Sequence, residues 1–118
     1  MTQENKELLL KDLCARLPYG VKVKSVFINP DTKEHKPCGI EIFDATSLLM
    51  IRDGLGEFKP YLFPLSSMTW EQEYQYREVI ASSLNHYEVY DWLNKNHFDY
   101  RGLIPKGLAI DATGKNIY

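Results

Sequence analysis

The hydrophobic period of this chain changes abruptly at Leu17-Pro18-Tyr19-Gly20, and that change restricts the fold more than any other feature. From Thr2 to Leu17 the apolar residues recur at helical spacing. Leu9, Leu10, Leu13, Cys14 and Leu17 share one side, with Glu4, Lys6, Glu7, Lys11 and Asp12 on the other. Pro18 disfavours α geometry in the residue before it, so the helix is expected to stop there. Beyond the turn, the segment from Val21 to Ile28 alternates. Val21, Val23, Ser25 and Phe27 fall on one face of a strand, and Lys22, Lys24, Val26 and Ile28 on the other. A helix that hands over to a period-two strand predicts an α+β chain. Its 118 residues suffice for one ordinary core, so residues 1–118 read as a single domain.

Further strands are expected along the first half. Residues 29–39 are polar and broken by Pro30, Pro37 and Gly39, the signature of an exposed loop. "GIEIFDA" and "SLLMIRDG" read as two strand-like runs joined by a turn near Asp44–Ser47. "EFKPYLF" reads as a fourth extended segment, placed at an edge or broken because Pro60 cannot donate a ladder hydrogen bond. Short strands so closely spaced predict a small, curled antiparallel sheet of about four strands. Its shape is compatible with an SH3-like or Sm-like half-open barrel, an analogy that carries no function. Two helices follow. Thr69 and Gln72 have capping-box spacing at the start of the first, and "YEVYDWLNKN" forms the second, packing through Val89, Trp92 and Leu93. "GLAIDATGKNIY" predicts a terminal hairpin.

Charge limits the possible partners. The chain carries 14 basic and 16 acidic side chains; residues 1–60 hold nine of each sign, and residues 61–118 five basic against seven acidic. Neither half has the positive excess that phosphate-dominated binding requires, which argues against nucleic acid. A nucleic-acid module would need a local stripe, for which Lys22, Lys24, Lys33, Lys36 and Lys59 are the candidates. The N-terminal segment lacks the basic and apolar regions of a signal peptide, and its "LLL" is far short of a membrane span. Cys14 and Cys38 therefore read as reduced thiols, and the expected location is cytoplasmic, away from membranes.

Chemistry-bearing constellations are sparse. His35 and Cys38 have the gap of a zinc chelate, but a closed site needs four ligands and no second pair has that spacing. Cys38, His97 and Asp99 contain the residue types of a nucleophilic set, yet no helix start or fixed cation adjoins Cys38 to stabilise a thiolate. Glu71, Glu73 and Glu78 occupy an exposed helix face, and "DGLGEF" lacks the Lys-Ser/Thr of a phosphate loop. No catalytic residue, metal ligand or cofactor is assigned. What remains is an aromatic–basic group near the C-terminus. Tyr87, Tyr90, Trp92, Lys95, His97, Tyr100 and Arg101 are the candidate binding residues, since aromatic rings beside cations anchor protein partners or stack bases. Core packing is the first reading of this group, a protein interface the second and nucleic acid the third.

Within "HFDYRGLIPKGLAI", His97 and Phe98 are expected to end the last helix and Asp99 to cap the following turn. Leu103, Ile104, Leu108 and Ile110 then fasten the tail to the core, with bends at Gly102 and Gly107. Arg101 has Asp99, Asp91 or a partner as its possible counterparts.

"KPYLFPLSSMT" (59–69) and "YDWLNKNHFDYRGLIPKGLAID" (90–111) resemble small uncharacterised proteins of gut Bacteroides-type bacteria, their prophages and phages. These carry a "KPYLRPLSSMT"-like segment followed by "DWLN-x-HHFDYRGLI-x-KGLA", and "LPYGVKV" (17–23) fits their start. Here Asn96 stands for the first histidine of the pair, Phe63 for the arginine and Pro105 for the glutamate. The resemblance implies a phage or mobile-element origin and no mechanism. The expected function is that of a small non-enzymatic accessory protein that binds a host or phage protein, with a nucleic-acid-binding module and a small enzyme as alternatives.

Overall fold

The computed structural model of the chain describes residues 2–118. Helix α1 (Gln3–Arg16) starts at Thr2, whose hydroxyl accepts from the Asn5 N–H at 3.1 Å. A single 3-10 turn through Pro18 ends at Gly20, whose φ of 66° swings the chain into strand β1 (Lys22–Ile28). There follow β2 (His35–Ile42), α2 (Ala45–Arg52), β3 (Gly56–Pro64), α3 (Trp70–Ser82), α4 (His86–Lys95), β4 (Phe98–Asp99) and β5 (Ile110–Asp111). The strand order is β2-β1-β3-β4, with β5 also on β3. β1 lies antiparallel to β2 and β3, whereas β4 and β5 run parallel to β3. The fold is α+β, with an open, mixed sheet in which β1 and β3 are central.

The core joins α1, the sheet and the C-terminal segment. Leu13, Val21, Val23, Phe43, Phe58, Leu62, Leu103, Leu108 and Ala109 form one buried cluster, with Phe43 and Phe58 edge to face at 5.7 Å. Val21, Val23 and Ser25 are buried as the alternation requires. The molecule as a whole is elongated, 52 Å against 29 and 23 Å in the remaining directions. Every residue of the edge strand β2 is exposed. No helix among the described residues is long and apolar enough to cross a membrane.

Five details depart from the sequence reading. The polar loop closes at Glu34, and β2 runs through Pro37. An edge strand tolerates the missing donor, and Cys38 is the unpaired residue of a bulge between Ser25↔Gly39 and Val26↔Pro37. "SLLMIRDG" belongs to helix α2 rather than to a strand. A short apolar run does not distinguish the two, and Asp44 decides by accepting from the Ser47 N–H at 3.0 Å in a capping box. Pro60 lies inside β3, not at an edge. It is the last residue paired with β1, and the opposite side of β3 gains partners only from Tyr61 onward, so the position falls between two ladders.

The terminal hairpin is replaced by two residues of β5 and a non-strand tail. The tail docks through the Tyr118 phenol, which donates to the Tyr61 carbonyl (2.8 Å) and accepts from the Lys22 N–H (2.9 Å). Finally, α1 buries Asp12, Leu13 and Arg16, while Leu10 and Cys14 face solvent. The charges on that face are enclosed because they pair with one another and with the C-terminal segment.

Candidate functional site

The interior of the α1–C-terminal junction is ionic. Asp12 and Arg16, one helical turn apart, are both 0% exposed and joined by Arg16 Nε donating to Asp12 Oδ2 at 2.9 Å. Asp12 Oδ1 accepts from Arg101 Nη1 at 2.7 Å, and Arg16 Nη2 donates to the Phe98 carbonyl at 2.6 Å. Arg101 thus pairs with Asp12, not with Asp99 or Asp91. Both guanidinium groups lie against Tyr100, Arg101 at 4.5 Å from the ring centroid and Arg16 at 5.4 Å. One carboxylate between two guanidiniums leaves a local excess of one positive charge.

Asp99 is already committed, as expected. Its two oxygens accept from the Leu103 and Ile104 N–H groups at 2.9 Å each, which fixes the turn that presents Arg101. Gly102 bends the chain at φ 73° in that turn.

Beside this junction, α1, α3, α4 and the C-terminal segment enclose an open cleft of about 940 Å³. Its lining includes Lys11, Tyr76, Ile80, His86, Tyr87, Tyr90, Asp91, Asn94, Tyr100 and Arg101. Tyr90 stacks on Tyr100 at 5.2 Å, and the Tyr100 hydroxyl donates to Asn94 Oδ1 at 2.9 Å. Asn94 is buried, and its remaining polar atom is the amide nitrogen. Asp91 is the one carboxylate lining the cleft. Burial and then the Asp91 carboxylate push the Tyr19 hydroxyl above its ordinary range.

Four of the seven candidate binding residues, Tyr87, Tyr90, Tyr100 and Arg101, meet at this cleft. Trp92 instead packs between Tyr76 (5.5 Å, edge-on) and Phe98 (5.7 Å, stacked), as a core-docking residue does. Lys95 is exposed in the last turn of α4. His97 turns away into the sheet. It follows the helix cap with φ 62° and stacks on Tyr118 at 3.8 Å, and its Nδ1 is buried without a partner among the described residues. Desolvation, then Arg16 and Lys22, hold its pKa near 4, so the ring is neutral. Enclosure of the phenol pushes Tyr118 up to about 12.

Residues absent from the sequence reading of the site include Lys11, Tyr76, Ile80 and Asn94, which come to the cleft from three helices. Asn94 lay inside the sequence cluster and the Asp12–Arg16 spacing marked the junction, whereas Lys11, Tyr76 and Ile80 carried no local signal.

The other constellations are separated. Cys38 lies on β2, with β1 and β3 between it and β4, so it does not meet His97 or Asp99. His35 shares its exposed edge strand. Of the lysine stripe, Lys24 stands directly opposite Lys59 on the sheet's outer face. Lys22 lies beside them with its ammonium donating to the Ile117 carbonyl (2.6 Å), while Lys36, opposite Phe27, points to the other side.

Helix α3 completes the region. It has a capping box between Thr69 and Gln72, with 2.9 and 3.2 Å bonds, yet it buries no residue. Trp70, Tyr74, Ile80 and Leu84, with Tyr87 and Tyr90 of α4, are all exposed, Leu84 at 96%.

No family model, curated protein or solved structure matches the chain.

Proposed function

We propose that the protein acts by binding another protein through α3, α4 and the cleft behind them. The observation that carries this reading is a helix of 13 residues without a buried side chain, bearing large apolar groups. Helices of this length are marginal in water unless an amphipathic face is covered. Here the half-buried side, Tyr76 and Val79, packs towards α4, while Trp70 and Tyr74 stack on each other in solvent at 6.1 Å. A contiguous exposed apolar patch marks an interaction surface, and rigid aromatic side chains make efficient anchors. A small accessory protein of phage or mobile-element origin, acting in the cytoplasm on a host or phage protein, fits this surface and the sequence resemblance.

The test is affinity capture with the tagged full chain and with a Trp70→Ser, Leu84→Ser variant of unchanged thermal stability. One protein retained by the parent chain and lost by the variant supports the reading. Equal retention by both, or none by either, refutes it.

A nucleic-acid interface is the second reading, favoured by the direct Lys24–Lys59 opposition, since like charges facing each other across a sheet repel and an anionic ligand would relieve this. It requires a salt-dependent shift with DNA or RNA that is lost in Lys24→Glu.

A further inference from the structure

We infer that the cleft is a carboxylate-reading pocket, which takes an acidic residue and an adjoining apolar side chain from the protein partner. The inference rests on the protein-binding reading above and names the chemistry at its centre. Three residues that line the cleft carry hydrogen-bond donors with no partner among the described residues. Arg101 uses Nη1 on Asp12 and keeps Nε and Nη2 unspent. Asn94, 5% exposed, has its Oδ1 occupied by Tyr100, which leaves its amide nitrogen as a donor. Lys11 adds a free ammonium at the rim. Among the described residues the buried side-chain atoms without a partner are Arg16 Nη1 and His97 Nδ1, so the Asn94 amide nitrogen is open to the cleft's water and is a donor that a ligand acceptor can take over.

The geometry selects a planar acceptor. The Arg101 guanidinium is held in place by Asp12 and by the Tyr100 ring, so its remaining fork is oriented before a ligand arrives. A carboxylate matches that fork. Next to it, Tyr76, Ile80, Tyr87 and Tyr90 offer apolar surface for the side chain beside the acid. A phosphate backbone fits less well. Arg101 shares its charge with Asp12, and Asp91 lines the same cleft, so the cationic excess suits a monoanion better than a dianion.

The test is a titration of the isotope-labelled full chain, followed by nuclear magnetic resonance at the Asn94 side-chain amide and the Arg101 Nε–H. The probes are N-acetylphenylalanine, its uncharged amide, and thymidine monophosphate. The acid is expected to shift both signals saturably, and the amide to bind roughly tenfold more weakly, the loss of about one charge-assisted interaction. Lys11→Glu, at an exposed position, should weaken the acid by a similar factor and leave the amide unchanged. Equal binding of acid and amide, no saturable shift, or tighter binding of the nucleotide overturns the inference. Each of these outcomes is independent of protein capture by the Trp70 and Leu84 surface. Loss of the carboxylate reading with capture intact removes this proposal alone, and loss of capture with carboxylate binding intact removes the broader one.

Discussion

Replacing Asp12 by Asn is the sharpest test of what holds the two ends of the chain together. The substitution keeps the side-chain shape and removes one charge. Asp12 Oδ2 accepts from Arg16 Nε and Oδ1 from Arg101 Nη1. Asparagine can accept through only one atom, and its NH2 would face a guanidinium N–H, donor against donor. Arg101 retains 15% side-chain exposure and can turn partly to water, but Arg16 has none, and its Nη1 already lacks a partner among the described residues. Breaking a buried ion pair at one partner costs about 3–5 kcal/mol, because the other charge stays enclosed. Against a total stability of about 5–15 kcal/mol this is a large fraction. For a domain of this size it corresponds to a fall in Tm of roughly 10–20 °C. Urea and thermal unfolding followed by circular dichroism measure it directly. The control is Asp12→Leu combined with Arg16→Met, which removes both enclosed charges of the first pair and should recover much of the loss. A cost below about 1 kcal/mol for Asp12→Asn would show that water reaches the junction, and the account of a buried ionic lock would then be wrong.

Two further outcomes follow from the same structure. His97 has a folded-state pKa near 4 against an ordinary 6.5, so between those values the unfolded chain binds a proton that the folded chain refuses. Stability should therefore fall as pH drops through that window and flatten below it, by about 1–2 kcal/mol once partial exposure of the ring is allowed for. His97→Asn, which tolerates the φ of 62°, should remove that part of the pH dependence, and an unchanged profile would count against a buried neutral ring. Thr69→Ala should cost about 1 kcal/mol locally. Since α3 buries no side chain, the loss should appear as faster amide exchange confined to residues 70–82, with little change in global Tm; a global loss would mean that α3 is integral to the core.

Local rules wrote much of this fold plainly. The Thr69–Gln72 capping box, the helix stop at Pro18, the inward face of β1 and the Asp99 turn all depend on residues within a few positions of one another. The failures share a different cause. Asp12 looked like a solvated charge because its position on α1 said so, but Arg16 one turn on takes one of its oxygens and Arg101, 89 residues away, takes the other. Cys14 looked like core on the same helix and is exposed. The hydrophobic period thus set Leu9, Leu13 and Leu17 against the core correctly but misplaced the rest of the stripe, since a paired charge can occupy an inward position as leucine does, provided its counter-charge arrives.

The tail repeats the pattern. No alternation marks residues 116–118 as anything but a strand, yet Tyr118 docks as a peg because Lys22 and Tyr61 present an N–H and a carbonyl at the junction of β1 and β3. The candidate site was half legible for this reason. Tyr87, Tyr90, Tyr100 and Arg101 are close in sequence and could be grouped by composition. Asn94 lies among them on α4 and meets Tyr100 directly, whereas Lys11, a further donor at the rim, joins them only through the ionic lock that sets α1 against the C-terminal segment. Site and lock are consequently one construction: Arg101 spends one edge of its guanidinium holding the fold and keeps the other for a ligand.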